Sequence, residues 1–166
     1  LAVARDVASG HDVRRHGLTG VTRAPVVYTS TEAHSSVDKA LQLLGLGREN
    51  LHKVAVDDRY SMRLDALEAA IEADRAAGRL PIAVVAAAGT VNTGGIDDLD
   101  GIATLAERQG LWFHVDGAIG AMARLSPALA PRFRGIERAD SLAFDFHKWL
   151  YVPYEAGCVL IRDGDQ

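Results

Sequence analysis

The chain has 166 residues, of which 48% are apolar and 24% charged, and its mean hydropathy is +0.03. Such a chain can build one packed core and is too apolar for a disordered composition. A formal charge of -4 argues against a nucleic-acid binder held by phosphate contacts. No apolar run approaches the roughly 20 residues that span a bilayer, and the first residues lack the apolar stretch of a signal peptide. A soluble, cytoplasmic protein is therefore expected, without a membrane or nucleic-acid partner. The chain begins with Leu1 and stops shortly after an apolar run, which suggests a piece of something larger.

In chain order, the first 25 residues show no clean period and read as a helix running into a loop. Apolar runs bounded by Gly, Pro or Asp then recur at Val26–Tyr28, Leu51–Val56, Ile82–Ala88, Leu111–Val115, Ser141–Phe146 and Gly157–Ile161; these read as short buried strands. Between them, a helix is expected from about His34 to Leu44. A second carries Leu64, Leu67 and Ile71 and stops near Gly78, and a third carries Leu99, Ile102 and Leu105 and stops at Gly110. Strands alternating with helices imply right-handed crossovers, and so an α/β fold with a mostly parallel sheet and helices on both faces. The single cysteine, Cys158, has no internal partner and reads as a small core residue of the last strand.

In a sheet of this kind ligands bind beyond the carboxyl ends of the strands. Thr90, Asp116 and Lys148 all follow apolar runs directly. Nucleotide motifs fail: Gly45-Leu-Gly47 lacks a third glycine and follows a helix, and no phosphate-binding GxxxxGK[ST] loop occurs. Asp97-Asp-Leu-Asp100 has no histidine beside it and reads as ordinary acidic residues at a helix start, so no metal is expected.

Asp116 closes the run Leu111–Val115, and a carboxylate that deep needs a partner. It either caps the turn at Gly117-Ala118 or pairs with a protonated ring nitrogen, with small residues at Gly117, Ala118 and Gly120 admitting a flat ring. Lys148, in Asp145-Phe-His-Lys-Trp149, is one of only three lysines against 15 arginines. It is either a solvated strand-end lysine or an imine-forming one, whose aromatic and apolar neighbours favour the neutral, nucleophilic amine. An imine-forming Lys and an Asp that holds a ring nitrogen protonated are together the protein's share of pyridoxal-phosphate chemistry. His147 can offer a ring N–H to a phosphate oxygen. His34 is either a polar residue near a helix start or an imidazole able to stack on an aromatic cofactor, with Ser35 and Ser36 as helix caps. The Thr90 hydroxyl can contact cofactor substituents or stabilise its own turn.

Five stretches in order, Ala33–Ala40, Ala69–Gly78, Gly89–Gly94, His114–Ala118 and Ala139–Trp149, resemble the group II pyridoxal-phosphate-dependent amino-acid decarboxylases, nearest the aromatic-L-amino-acid and tyrosine branch. The resemblance runs from about Val26 to Arg162. It implies the aspartate-aminotransferase-like fold (fold type I), with residues 1–166 as the central part of the large cofactor domain, lacking the N-terminal segment and the small C-terminal domain. It further implies that Lys148 is the Schiff-base lysine, Asp116 the partner of the pyridine nitrogen and His34 the ring-stacking histidine. Thr90 and Ala118 become further cofactor contacts and His147 a neighbour of the phosphate. The implied reaction is decarboxylation of an L-amino acid, an aromatic one by resemblance, in a homodimer whose sites lie at the interface, so that this piece alone is not expected to be competent. Two positions depart from the pattern: Ile119 stands where a Tyr is common, and Asp145 where an Asn is usual. Other outcomes on the same fold remain open, namely carbon-carbon lyase, aminotransferase or aldehyde-forming chemistry, as does a non-catalytic remnant.

Overall fold

A computed structural model describes residues 1–10 and 13–164. Six strands form one sheet: β1 (Pro25–Ser30), β2 (Leu51–Val54), β3 (Leu80–Ala87), β4 (Trp112–Asp116), β5 (Ser141–Asp145) and β6 (Gly157–Ile161). Their order is β2-β1-β3-β4-β5-β6. The first five strands are parallel, and β6 runs antiparallel to β5. That reversal follows from the connection 146–156, which contains no helix to carry the chain back across the sheet.

Among the described residues, five α-helices accompany the sheet: α1 (Ala2–Ser9), α2 (Val13–His16), α3 (Ser36–Leu43), α4 (Leu64–Ala76) and α5 (Leu99–Gln109). Strand alternation sorts the core into two layers. Val26, Tyr28, Val84, Ala86, Phe113 and Val115 meet Leu67 and Ile71 of α4 and Ile102 and Leu105 of α5 on one face. Val27, Ala83, Val85 and Trp112 meet Ala4 of α1 and Val37 and Leu41 of α3 on the other. Leu67, Ile71 and Leu41 are fully buried, and each such side chain stabilises the fold by roughly 1.5–3 kcal/mol. The expected α/β architecture, helices on both faces included, is the observed one. The expected helix-to-loop start is seen as α1 and the short α2, apart from residues 11 and 12, which lie outside the described residues.

Two expectations change in detail. The second strand leaves the sheet after Val54 rather than Val56, because Asp57 Oδ1 accepts from the backbone N–H groups of Arg59 (2.8 Å) and Ser61 (3.0 Å) and turns the chain back. Val56 then forms only an isolated bridge with Met62. Cys158 is only half-buried, on β6, which among the described residues pairs with β5 alone.

Two buried carboxylates brace the frame. Asp74 of α4 accepts from Tyr28 Oη (2.8 Å), Arg79 Nη1 (3.0 Å) and His52 Nδ1 (3.1 Å). Burial pushes its carboxyl up, but these donors outweigh burial and hold it below the usual range. Asp97, 3% exposed, accepts from the backbone N–H of Met62 through Oδ1 and of Ala87 through Oδ2, both at 2.7 Å. It thereby ties the end of β3 to the turn before α4. Of the acidic run 97–100, Asp98 caps α5 through Gly101 N (3.0 Å) and Asp100 pairs with Arg138 (2.8 Å). Asp97 is thus an internal brace rather than a first-turn residue.

Candidate active site

β1 leads through α3 to β2 on one side, while β3 leads through α5 to β4 on the other, so the connections after β1 and β3 diverge. A crevice at such a switch point, at the carboxyl edge of a parallel sheet, is the usual ligand site of this architecture. His34 follows β1 and Thr90 follows β3. The crevice opens into a cavity of about 780 Å3 on the α1/α3 face, lined by His34, Thr90, Asp116, Ala118, Asp145 and Lys148 among others.

Alternation along β4 aims Trp112, His114 and Asp116 at the cavity, and along β5 it aims Ser141, Ala143 and Asp145 there. Asp116, at the end of β4, accepts from Ala118 N through Oδ1 at 3.1 Å. The turn-capping reading is therefore realised at that oxygen, while Oδ2 has no hydrogen bond among the described residues. The small residues after it serve this chain's own backbone. A Cβ at Gly120 would lie 2.2 Å from the Ala88 carbonyl oxygen, and one at Gly117 would lie 2.5 Å from Ala121 Cβ. Of the expected ring-admitting residues, only Ala118 lines the cavity.

His34 is exposed, and its Nδ1 accepts from Ser36 N (3.2 Å) and contacts Ser36 Oγ (2.9 Å). Its imidazole, rather than the expected Ser35 hydroxyl, thus satisfies the first free N–H of α3. The neutral ring then carries its proton on Nε2. Thr90 is buried; its hydroxyl contacts Thr93 Oγ1 at 2.6 Å and accepts from Gly95 N at 3.0 Å. It therefore stabilises its own turn while lining the cavity.

Lys148 sits in the turn after β5 with its side chain 36% exposed and pairs with Asp145 Oδ2 at 2.7 Å. The apolar enclosure expected from its neighbours is not formed, because Trp149, Leu150 and Tyr151 turn outward, Tyr151 to 92% exposure. His147 lies outside the cavity lining. Its Nδ1 accepts from Ala156 N (2.9 Å) and its ring packs edge-on against Tyr154, 4.6 Å between centroids, which leaves Nε2–H as its free donor.

Deeper along the same wall, Trp112 Nε1 donates to Ser141 Oγ (2.8 Å), and that oxygen lies 2.7 Å from His114 Nδ1. Burial pushes the His114 imidazole down to about 4, so it is neutral at physiological pH. Neither Ser141 nor the His114 side chain was assigned to the site by motif. The two-residue alternation of side chains along β4, counted back from Asp116, is the signal that could have found His114. Among the described residues no group of three or more His, Cys, Asp or Glu is placed to hold a metal ion, and no helix is long and apolar enough to cross a membrane.

An amine, carboxylates and an imidazole on the carboxyl edge of a parallel sheet define a class: α/β proteins equipped to engage a small carbonyl compound at a strand-end lysine. A family profile described as the pyridoxal-dependent decarboxylase conserved domain matches residues 5–166, and the chain belongs to that family. It is 40% identical over 163 residues to the aromatic-L-amino-acid decarboxylase of Bacillus atrophaeus, covering 98% of this chain and 32% of that protein. It is also 40% identical over 157 residues to the L-2,4-diaminobutyrate decarboxylase of Rhizobium meliloti, covering 95% of this chain and 30% of that protein. The crystal structure of mouse CSAD superposes with a TM-score of 0.95 at 36% identity, over 99% of this chain and 34% of that one. The chain thus spans about a third of the length of the curated relatives it matches. The resemblance read from the five ordered motifs is confirmed, and with it the fold-type-I architecture.

Proposed function

We propose that this chain carries the lysine-bearing part of a pyridoxal-phosphate-dependent decarboxylase that releases carbon dioxide from an L-amino acid, and that its substrate is aromatic. The observation that carries this reading is the placement of Lys148, Asp116 and His34 around one cavity at the carboxyl edge of the sheet. These residues fit the cofactor chemically. Lys148 offers a primary amine to the carbonyl carbon, Asp116 Oδ2 a carboxylate oxygen to the ring nitrogen, and His34 an exposed imidazole to the ring face. When bound, pyridoxal phosphate supplies the electron sink that lets the carboxylate leave.

The chain's own groups supply the rest. Asp116 keeps a proton on the ring nitrogen, its other oxygen being held by Ala118 N. Thr90 and Ala118, which line the cavity, would border the ring, and His147 Nε2–H would be the donor offered to the phosphate. The two sites of a homodimer complete one another across the interface. The aromatic assignment leans on the Bacillus relative. The equal identity of the diaminobutyrate decarboxylase makes substrate choice the property to measure.

The test is borohydride reduction of the full-length protein with pyridoxal phosphate, followed by peptide mapping, and then an amine-release assay over aromatic, acidic and diamino acids. Label on Lys148 and release of an aromatic amine are the expected results. No label on Lys148 overturns the catalytic reading, an aldehyde product redirects the reaction, and preference for a diamino or acidic substrate overturns the aromatic assignment.

A further inference from the structure

Asp145 is the last residue of β5, and its backbone is fixed by pairing with Gly157 of β6. Gly157 has no side chain, and a Cβ there would come within 3.3 Å of Asp145 Oδ1. The carboxylate therefore occupies the space beside the glycine and faces the cavity. Its partner is less constrained: Lys148 lies on the turn, at the end of a long stem and beside the exposed Trp149 and Leu150. The 2.7 Å contact thus joins a carboxylate anchored in the sheet to an amine that can move.

That arrangement has a chemical consequence. A primary amine attacks a carbonyl through its lone pair and must first leave the carboxylate that holds it. Asp116, the other carboxylate of the cavity, is engaged with the Ala118 N–H, whereas the ion pair of the lysine is with Asp145. The geometry points to Asp145 as the positioning residue for Lys148: it holds the amine against the β5 wall through this ion pair whenever the lysine is not covalently engaged, and so restrains its reactivity. The meaning of this device rests on the proposed role of Lys148, but the contact can be tested without any cofactor.

The test is trace acetylation of the cofactor-free full-length protein, with the Lys148 rate read by peptide mass spectrometry against exposed Lys39 in the same sample. Asp145→Asn keeps the shape and removes the charge. It is expected to raise the Lys148-to-Lys39 ratio about three- to fivefold, the scale of a partly exposed ion pair, while Asp145→Glu restores the low ratio. Lys53, paired with Asp38 at 3.3 Å, should not change in either variant. Should Asp145→Asn fold poorly, high salt supplies a second measurement, since screening of the pair in the unaltered protein raises the same ratio. An unchanged ratio in a folded Asp145→Asn protein, or no response to salt, overturns the inference. Failure of pyridoxal phosphate to label Lys148 overturns the proposed function alone and leaves the acetylation result standing.

Discussion

Replacing Asp97 with Asn separates two effects that the structure sets against each other. Both carboxylate oxygens accept a backbone N–H at 2.7 Å in a site only 3% exposed. Asn keeps one acceptor and points an NH2 group at the other donor, which costs about 1–3 kcal/mol at any pH. Against this, burial pushes the Asp97 carboxyl from 3.8 up to about 6, in spite of the two N–H groups. Between those values the folded chain holds a proton that the unfolded chain has released, so stability falls as pH rises through the window and is level above it. A shift of that size amounts to about 3 kcal/mol. The Asp97→Asn variant has no such window. Urea unfolding of the full-length protein should therefore show the variant less stable at a pH of about 4. By a pH of about 7 that deficit should have closed or reversed, as the original protein loses its increment. A stability difference that is the same at both ends refutes the reasoning: Asp97 would then keep its charge through the window, the two N–H groups having compensated its burial in full.

Gly120→Ala places a Cβ against the fixed Ala88 carbonyl oxygen, 2.2 Å away, and should destabilise by about 1–3 kcal/mol or more, visible as a lowered melting temperature; an unchanged melting temperature would mean that the two turns separate freely. Asp74→Ala leaves the buried Tyr28 hydroxyl without its acceptor and removes one partner each from the half-exposed Arg79 and His52, and should cost about 1–3 kcal/mol. Asp74→Ala unfolding at the same urea concentration as the original protein would show the network to be dispensable.

Periodicity was enough to place the strands, the helices and the residues that follow each strand. That is because short apolar runs bounded by Gly, Pro or Asp and apolar recurrence at three to four residues are properties of the local chain. What those residues meet was not legible. Lys148, expected among apolar neighbours, faces Asp145, since the direction of the turn after β5 depends on the antiparallel return of β6. The space beside Gly117 and Gly120, which read as room for a ring, is taken by Ala121 and Leu142 side chains and by the Ala88 backbone, respectively. The bracing roles of Asp74 and Asp97 were not legible, because their donors lie on other elements, at Tyr28, His52, Met62 and Ala87. Local pattern thus determined the α/β class, the carboxyl-edge location of the site and the identity of Lys148, Asp116 and His34 as its candidates. Only packing decided their partners, because hydrogen bonds and ion pairs are made across strands and layers, between residues whose separation in sequence carries no period.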